Sequence, residues 1–254
     1  MWQKFNKLGA GSYGKVHLAD SPGFRIPNKV AVKSAALENS ASLKREALFL
    51  KKLKGNPYVI QCYGEEVSQE DNEGMVYNVI MEYAPGGSLK DLITSYNNVM
   101  PETVVSGYAS MLLRGLSFVH RKGVVHCDIK PDNVLVFPAQ DGGLHRLKLA
   151  DFGLSKRVSE EIMEFRGTPY YASPESMQSG MQGTPADIWS FGCLVLEMMN
   201  GGERIWKAED RWEPQKPEYI SECGKDFLGK IFVSVEYRWS ADKLLNHPFI
   251  QQSK

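Results

Sequence analysis

The run Ile188-Trp189-Ser190-Phe191-Gly192-Cys193-Leu194-Val195-Leu196-Glu197-Met198 is apolar on nearly every face, and it opens at Thr184-Pro185-Ala186-Asp187 with a hydroxyl suited to capping and a proline in the first turn. A helix without a polar stripe cannot lie on a surface, so this one must sit centrally, covered on all sides. A chain of 254 residues, 43% of them hydrophobic, has enough material to build such a core. The first third reads differently. Val16 and Leu18 alternate with Lys15 and His17, and Val30 and Val32 with Ala31 and Lys33, which predicts two half-buried strands after a glycine turn. A helix follows from about Ser42 to Lys54, with Leu43, Leu50 and Leu53 on one stripe. The apolar run Val76 to Met81 then leads into Ala84-Pro85-Gly86-Gly87-Ser88, which reads as a hinge. Beyond it, Glu102 to His120 is helical through Val105, Tyr108, Met111, Leu112 and Leu116, with Gly123 as its stop. Short strands at Val134 to Phe137 and Leu147 to Ala150 flank a hairpin tip at Pro138-Ala139-Gln140-Asp141-Gly142-Gly143. Strands first and helices afterwards make an α+β chain with the two kinds of element segregated.

Charge and cysteine content narrow the function. Thirty basic residues balance 30 acidic ones, so nothing favours a sequence-independent grip on nucleic acid or on an anionic membrane. Cys62, Cys127, Cys193 and Cys223 have no paired spacing, which argues against both a disulfide framework and a zinc site and points to a reducing compartment. The N-terminal Met1-Trp2-Gln3-Lys4-Phe5-Asn6-Lys7 lacks an apolar signal core, and no run is long enough to span a bilayer. Cytoplasm or nucleus is the expected location.

The chemistry is concentrated in His126-Cys127-Asp128-Ile129-Lys130-Pro131-Asp132-Asn133 and, after the hairpin, Asp151-Phe152-Gly153. Together these supply two carboxylates, an ammonium and an amide oxygen, the groups that a metal-assisted phosphoryl transfer uses for positioning and charge neutralisation. The bland alternative is a polar loop beside a hairpin. Glu46 falls on the inward stripe of its helix, between Leu43 and Leu50, where an unpaired carboxylate is expensive. It needs a cation, and Lys33 is the candidate, although either residue by itself would ordinarily be a solvated one. Gly9-Ala10-Gly11-Ser12-Tyr13-Gly14-Lys15-Val16 on its own is as readily a plain turn as a nucleotide loop. A dinucleotide or NTPase loop would open into a helix, and the NTPase form needs a hydroxyl where Val16 stands. A glycine flap between two strands remains, with backbone amides free to approach phosphates.

In this order, from Gly9 to Phe249, the motifs resemble those of the eukaryotic protein kinases, and Lys130 with Gly167-Thr168-Pro169 resembles the serine/threonine class. The wording of Asn78 to Leu89, Cys127 and Gly167-Thr168-Pro169-Tyr170-Tyr171 is similar to plant MAP kinase kinase kinases of the MEKK-like group. The resemblance implies a bilobal fold in one domain spanning 1–254, with a small antiparallel lobe to about residue 83 and a larger helical lobe from about 84. It implies ATP and Mg²⁺ as cofactors and a protein substrate, the activation loop of a MAP kinase kinase. Leu8, Gly9, Ala10, Gly11, Ser12, Tyr13, Gly14, Val16, Ala31, Lys33, Met81, Glu82 and Ala84 would contact ATP. Lys33 would pair with Glu46, Asp128 would orient and deprotonate the acceptor hydroxyl, Lys130 would neutralise the transferring phosphoryl, and Asn133 and Asp151 would hold metal. His126 and Phe152 would be packing residues. Glu175 would pair with Arg238 in Tyr237-Arg238-Trp239-Ser240-Ala241, Asp187 would bond the catalytic-loop backbone, and Asn246-His247-Pro248-Phe249 would close the domain, so His247 is not a metal ligand.

Two departures stand out. Cys127 replaces the usual arginine before the catalytic aspartate, and Ser173 replaces a small apolar residue before Pro174. Without that guanidinium a phosphorylated loop lacks its main anchor, and between Leu154 and Gly167 only Ser155 and Ser159 carry hydroxyls. Basal activity without phosphorylation is therefore expected, with Lys156, Arg157 or Arg166 as alternative anchors. The rival readings are a pseudokinase scaffold, a serine/threonine kinase outside the MAP kinase cascade and a small-molecule kinase. Lys33, Glu46, Asp128, Asn133 and Asp151 together argue against the scaffold. The motifs run almost to both termini, as they would in a catalytic piece of a longer protein.

Overall fold

The computed structural model describes residues 3–11, 14–20, 27–70, 74–96, 100–202, 205–206, 214, 217 and 219–252. Its first part is a five-stranded antiparallel sheet in the order β1-β2-β3-β5-β4, built from β1 (Gln3–Gly11), β2 (Gly14–Asp20), β3 (Lys29–Ala36), β4 (Cys62–Glu70) and β5 (Gly74–Glu82). Helix α1 (Ala41–Lys52) lies between β3 and β4 in sequence. The remainder is mainly helical: α2 (Leu89–Ser95), α3 (Glu102–Arg121), α4 (Pro174–Ser179), α5 (Thr184–Met199), α6 (Glu222–Gly229), α7 (Ala241–Leu244) and α8 (Pro248–Gln251). Two small ladders accompany them, β6 (Val124–Val125) with β9 (Lys156–Arg157), and β7 (Val134–Phe137) with β8 (Arg146–Leu149). This is the α+β, bilobal arrangement that the sequence pattern implied.

Strand β3 departs from its expected half-burial, because it is covered on both faces. Val30 and Val32 pack with Ala19, Ile80 and Tyr63 on one side. On the other, Ala31, Lys33 and Ala35 pair across the ladder with Met81, Val79 and Tyr77, and directly opposed residues share a face. That second face receives the stripe Leu43, Ala47 and Leu50 of α1, so Glu46 on the same stripe is carried inward to Lys33. The helix ends at Lys52, slightly before the expected Lys54, with buried Leu53 as its cap.

In the helical part α5 is buried along nearly its whole length, with Phe191, Cys193, Leu194, Val195 and Leu196 fully enclosed. Its N-cap is Gly183, not the Thr184 hydroxyl; Thr184 is already the first helical residue, one place ahead of Pro185. Helix α3 runs one residue past His120 and stops at Gly123, whose φ of 68° would strain a residue with a Cβ. Gly86 and Gly87 exchange backbone hydrogen bonds with Val136 at 3.1 and 2.9 Å, which pins the connection between the two halves to β7. Ser173 is not a neutral exchange: its Oγ caps α4 by accepting from the Ser176 N–H.

The expected Glu175 and Arg238 pair is present and bidentate, at 2.6 and 3.1 Å, and the Arg238 side chain is 1% exposed. Arg238 also donates to the carbonyls of Ile231, Pro185 and Val233 and lies over the Trp189 ring at 4.9 Å. Arg238→Ala would strand one carboxylate and three buried carbonyls at once. The expected loss is about 3–5 kcal/mol in urea unfolding; a loss below about 1 kcal/mol, the scale of an exposed pair, would show that the network carries no stability.

Candidate active site

Between the sheet and the helices lies a cleft with a cavity of about 430 Å³, lined above by Leu8, Gly9, Val16, Ala31 and Lys33 and below by Asn133, Leu135, Ala150 and Asp151. Met81, Glu82, Tyr83 and Ala84 form its back wall. Of the residues expected around a nucleotide, Ser12 and Tyr13 lie outside the described residues, and Ala10 and Gly11 are described as backbone only, at the end of β1. Gly14 opens β2 with φ 136°, and a Cβ there would collide with the Ser34 carbonyl. The backbone alone can occupy this place. Glu82 reaches the cavity wall, but its carboxylate is held by Lys148 at 2.6 and 2.7 Å, which leaves its main chain to face a ligand.

Lys33 is the electrostatic centre. Its ammonium bonds Glu46 at 2.6 Å and Asp151 at 3.0 Å. Burial alone would push Lys33 down, but Glu46 and then Asp151 overcome it, and the ammonium titrates above its ordinary value. Burial also pushes the Glu46 carboxyl up against the pull of Lys33, whereas at Asp151 the attraction of Lys33 outweighs burial and holds the carboxyl below the usual range. Asp151 takes φ 59°, an unusual place for a residue other than glycine.

Across the cleft, Asp128 accepts from the Asn133 amide at 2.8 Å through Oδ2, from the Thr168 hydroxyl at 2.8 Å through Oδ1, and pairs with Lys130 at 3.0 Å. Lys130 also donates to Thr168 at 2.8 Å. Asn133 spends its NH₂ on the Asp128 carboxylate and carbonyl, which turns its Oδ1 the other way. That oxygen and the Asp151 carboxylate suit a hard divalent cation that keeps water and phosphate oxygens for the rest of its shell. Among the described residues no group of three or more His, Cys, Asp or Glu could hold a metal unaided.

The loop carrying Asp128 is fixed from beneath. Asp187, 1% exposed in the first turn of α5, accepts from the N–H groups of His126 and Cys127 at 2.8 and 2.9 Å and meets His120 Nε2 at 2.9 Å. These bonds stabilise Cys127 at φ 69°. His126 packs against Phe152 with ring centroids 4.6 Å apart and reaches the Ala150 carbonyl, so it is a spacer between loop and hairpin. Burial, followed by the Asp187 charge, pushes the Cys127 thiol up, and it carries no charge. His247 caps α8 and meets Asp226 at 2.9 Å.

Several residues of this region were not among those expected. Leu135 forms the cavity floor; its strand alternates, with Val134 and Val136 turned into the core, so period 2 was the available signal. A broader cleft of about 970 Å³ continues from Asp128 past Thr168 and Tyr170 to Lys90 and Glu197. There Glu197, 3% exposed, takes Lys90 at 2.7 Å and the Tyr171 hydroxyl at 2.7 Å. No local pattern marks a pair 107 residues apart.

A family model described as protein kinase domain matches residues 2–250. Mitogen-activated protein kinase kinase kinase 20 of Arabidopsis thaliana is 37% identical over 98% of this chain and 78% of its own length. Mitogen-activated protein kinase kinase kinase 18 of the same plant is 38% identical, over 98% and 77%. A mouse relative, mitogen-activated protein kinase kinase kinase 3, is 35% identical over 98% of this chain and 42% of its own.

Proposed function

The chain belongs to the protein kinase family and is a serine/threonine protein kinase, and from that premise we propose that it transfers the ATP γ-phosphate to serine or threonine on the activation loop of a MAP kinase kinase. The observation that carries the catalytic reading is the Lys33 ammonium, held between Glu46 and Asp151 and facing Asp128 across one cleft. The relatives' names support the choice of acceptor.

In this reading Leu8, Val16, Ala31 and Leu135 enclose the adenine, and the main chain of Met81 to Ala84 provides polar contacts. Backbone amides of the Gly9 to Gly14 flap, with the Lys33 ammonium, hold the phosphates; Glu46 keeps that ammonium aimed. Asp128 orients the acceptor hydroxyl and takes its proton, and Lys130 balances charge on the group in transfer. Asn133 Oδ1 and Asp151 would hold Mg²⁺, which when bound neutralises charge on the phosphates. Thr168 is bonded to both Asp128 and Lys130, so the substrate-side loop and the catalytic loop are already in register.

The test is a panel of purified MAP kinase kinases incubated with Mg²⁺-ATP, with the phosphosites mapped. Activation-loop serine or threonine on at least one member is the expected site. Robust turnover on a generic acceptor with none on any panel member would place the enzyme outside this cascade.

A further inference from the structure

We propose that Glu160 is a positioning residue: its carboxylate stands in for an activating phosphate, clamping the segment after Asp151 to α1 through Arg45 and so holding Glu46 against Lys33. Arg45 immediately precedes Glu46 on α1. Its guanidinium reaches Glu160 Oε1 from Nη2 at 3.1 Å and from Nη1 at 3.2 Å, and Nη1 also donates to the Ser155 carbonyl at 3.1 Å. The same helix sends the Ser42 hydroxyl to the Gly153 carbonyl at 3.2 Å. Three residues of one face of α1 thus grip three points of the segment, while Glu46, one place along, reaches the active-site lysine.

Glu160 is prepared for this task by its own surroundings. Its Oε2 accepts from the Arg157 N–H at 3.2 Å, and its carbonyl takes the Lys156 ammonium at 3.0 Å. Lys156 and Arg157 in turn form β9 against β6, which fastens the segment to the strand leading into the catalytic loop. A phosphoserine would offer what Glu160 already provides here, an anion facing a guanidinium fork with backbone donors behind it. The position next to Asp128 holds the uncharged Cys127, so the cation that engages this segment comes from α1 instead. Of the two serines in the segment, Ser155 is fully buried and donates to the His126 carbonyl at 3.2 Å, which removes it from reach of a modifying enzyme in this conformation. Ser159 is exposed, one residue before the anion that is already docked.

A shift of α1 away from the sheet would part Glu46 from Lys33, and the clamp opposes that shift from the side that β3 does not reach. The Arg45 and Glu160 side chains are 34% and 33% exposed, so each can be replaced without disturbing the core. The test compares phosphatase-stripped wild type, Glu160→Gln, Arg45→Gln and the double variant, in Mg²⁺-ATP turnover with a generic protein acceptor and in hydrogen exchange of the α1 amides. Because neither readout uses a MAP kinase kinase, failure here is distinct from failure of the substrate reading. The stripped wild type is expected to be active. Each single variant should lose about tenfold in kcat, as a bidentate pair at half-open exposure can shift a two-state equilibrium, with faster exchange in α1 and an unchanged melting temperature. The double variant should be no worse than either single one, since both remove the same contact. Arg45→Lys, which keeps the charge but not the fork, should recover part of the activity. Wild-type turnover and α1 protection in both singles would overturn the proposal, as would losses that multiply in the double variant, or a stripped wild type that is silent until Ser159 is phosphorylated.

Discussion

Asp128→Asn is expected to lower phosphoryl transfer by about 10²- to 10⁴-fold, the contribution of a positioned proton acceptor, while ATP binding survives. The amide keeps the shape of the carboxylate. It can still accept from Asn133 through one atom and turn its NH₂ toward Thr168, whose oxygen has lone pairs to receive it, so the loop has no reason to unfold. What disappears is a basic oxygen in front of the acceptor hydroxyl. None of the adenine wall is touched. Asp151→Asn should differ in kind, because it removes an anionic ligand and a partner of Lys33; its activity should require higher Mg²⁺ and should respond to Mg²⁺ titration, as Asp128→Asn should not. Steady-state rates and nucleotide titration by fluorescence separate the two. Wild-type turnover in Asp128→Asn would remove it from the mechanism.

Lys33→Met should reduce turnover by about 10²- to 10³-fold, comparable to deleting one preorganised electrostatic contact. It also leaves Glu46, 1% exposed, without its cation. Burial already pushes that carboxyl up while Lys33 restrains it, so removal of the restraint should carry it further toward the neutral acid. The sign for stability follows. A carboxyl whose folded pKa rises above its unfolded value binds more protons when folded, so the variant should gain relative stability as pH falls through the folded pKa toward the unfolded one. Chemical denaturation of both proteins across that window measures the effect. Near-normal transfer by Lys33→Met would mean that another cation serves the phosphates.

The features legible in the sequence were those in which chemistry forbids alternatives. A carboxylate on the inward stripe of α1 had to meet a cation, and Glu46 meets Lys33. A helix without a polar face had to be central, and α5 is. The bonds from Asp187 to the catalytic loop and from Glu175 to Arg238 followed from motif resemblance and appear with good geometry. Where the reading erred, a neighbour distant in sequence decided the outcome. Strand β3 alternates like a half-buried strand, but its outer face is covered by Ala19, Ile80 and Tyr63. Thr184 has the chemistry of a cap, yet the turn starts one residue earlier. Ser155 counted as an available hydroxyl until its bond to the His126 carbonyl, 29 residues away, was seen. Arg45 and Glu160 are both ordinary surface types, and only the fold brings together residues 115 apart.

Helix α5 carries Asp187 in its first turn and Glu197 near its last, about 15 Å along one axis at 1.5 Å per residue. The first supports the loop that accepts the proton, and the second forms part of the floor over which the acceptor chain must lie. Both are therefore measured from a single buried rod. The sheet can tilt to admit and discharge a nucleotide without altering the spacing between the acceptor's resting place and the base that activates it. In mechanical terms the lower half is an anvil with a built-in gauge, and the moving tool is the half that holds the phosphate.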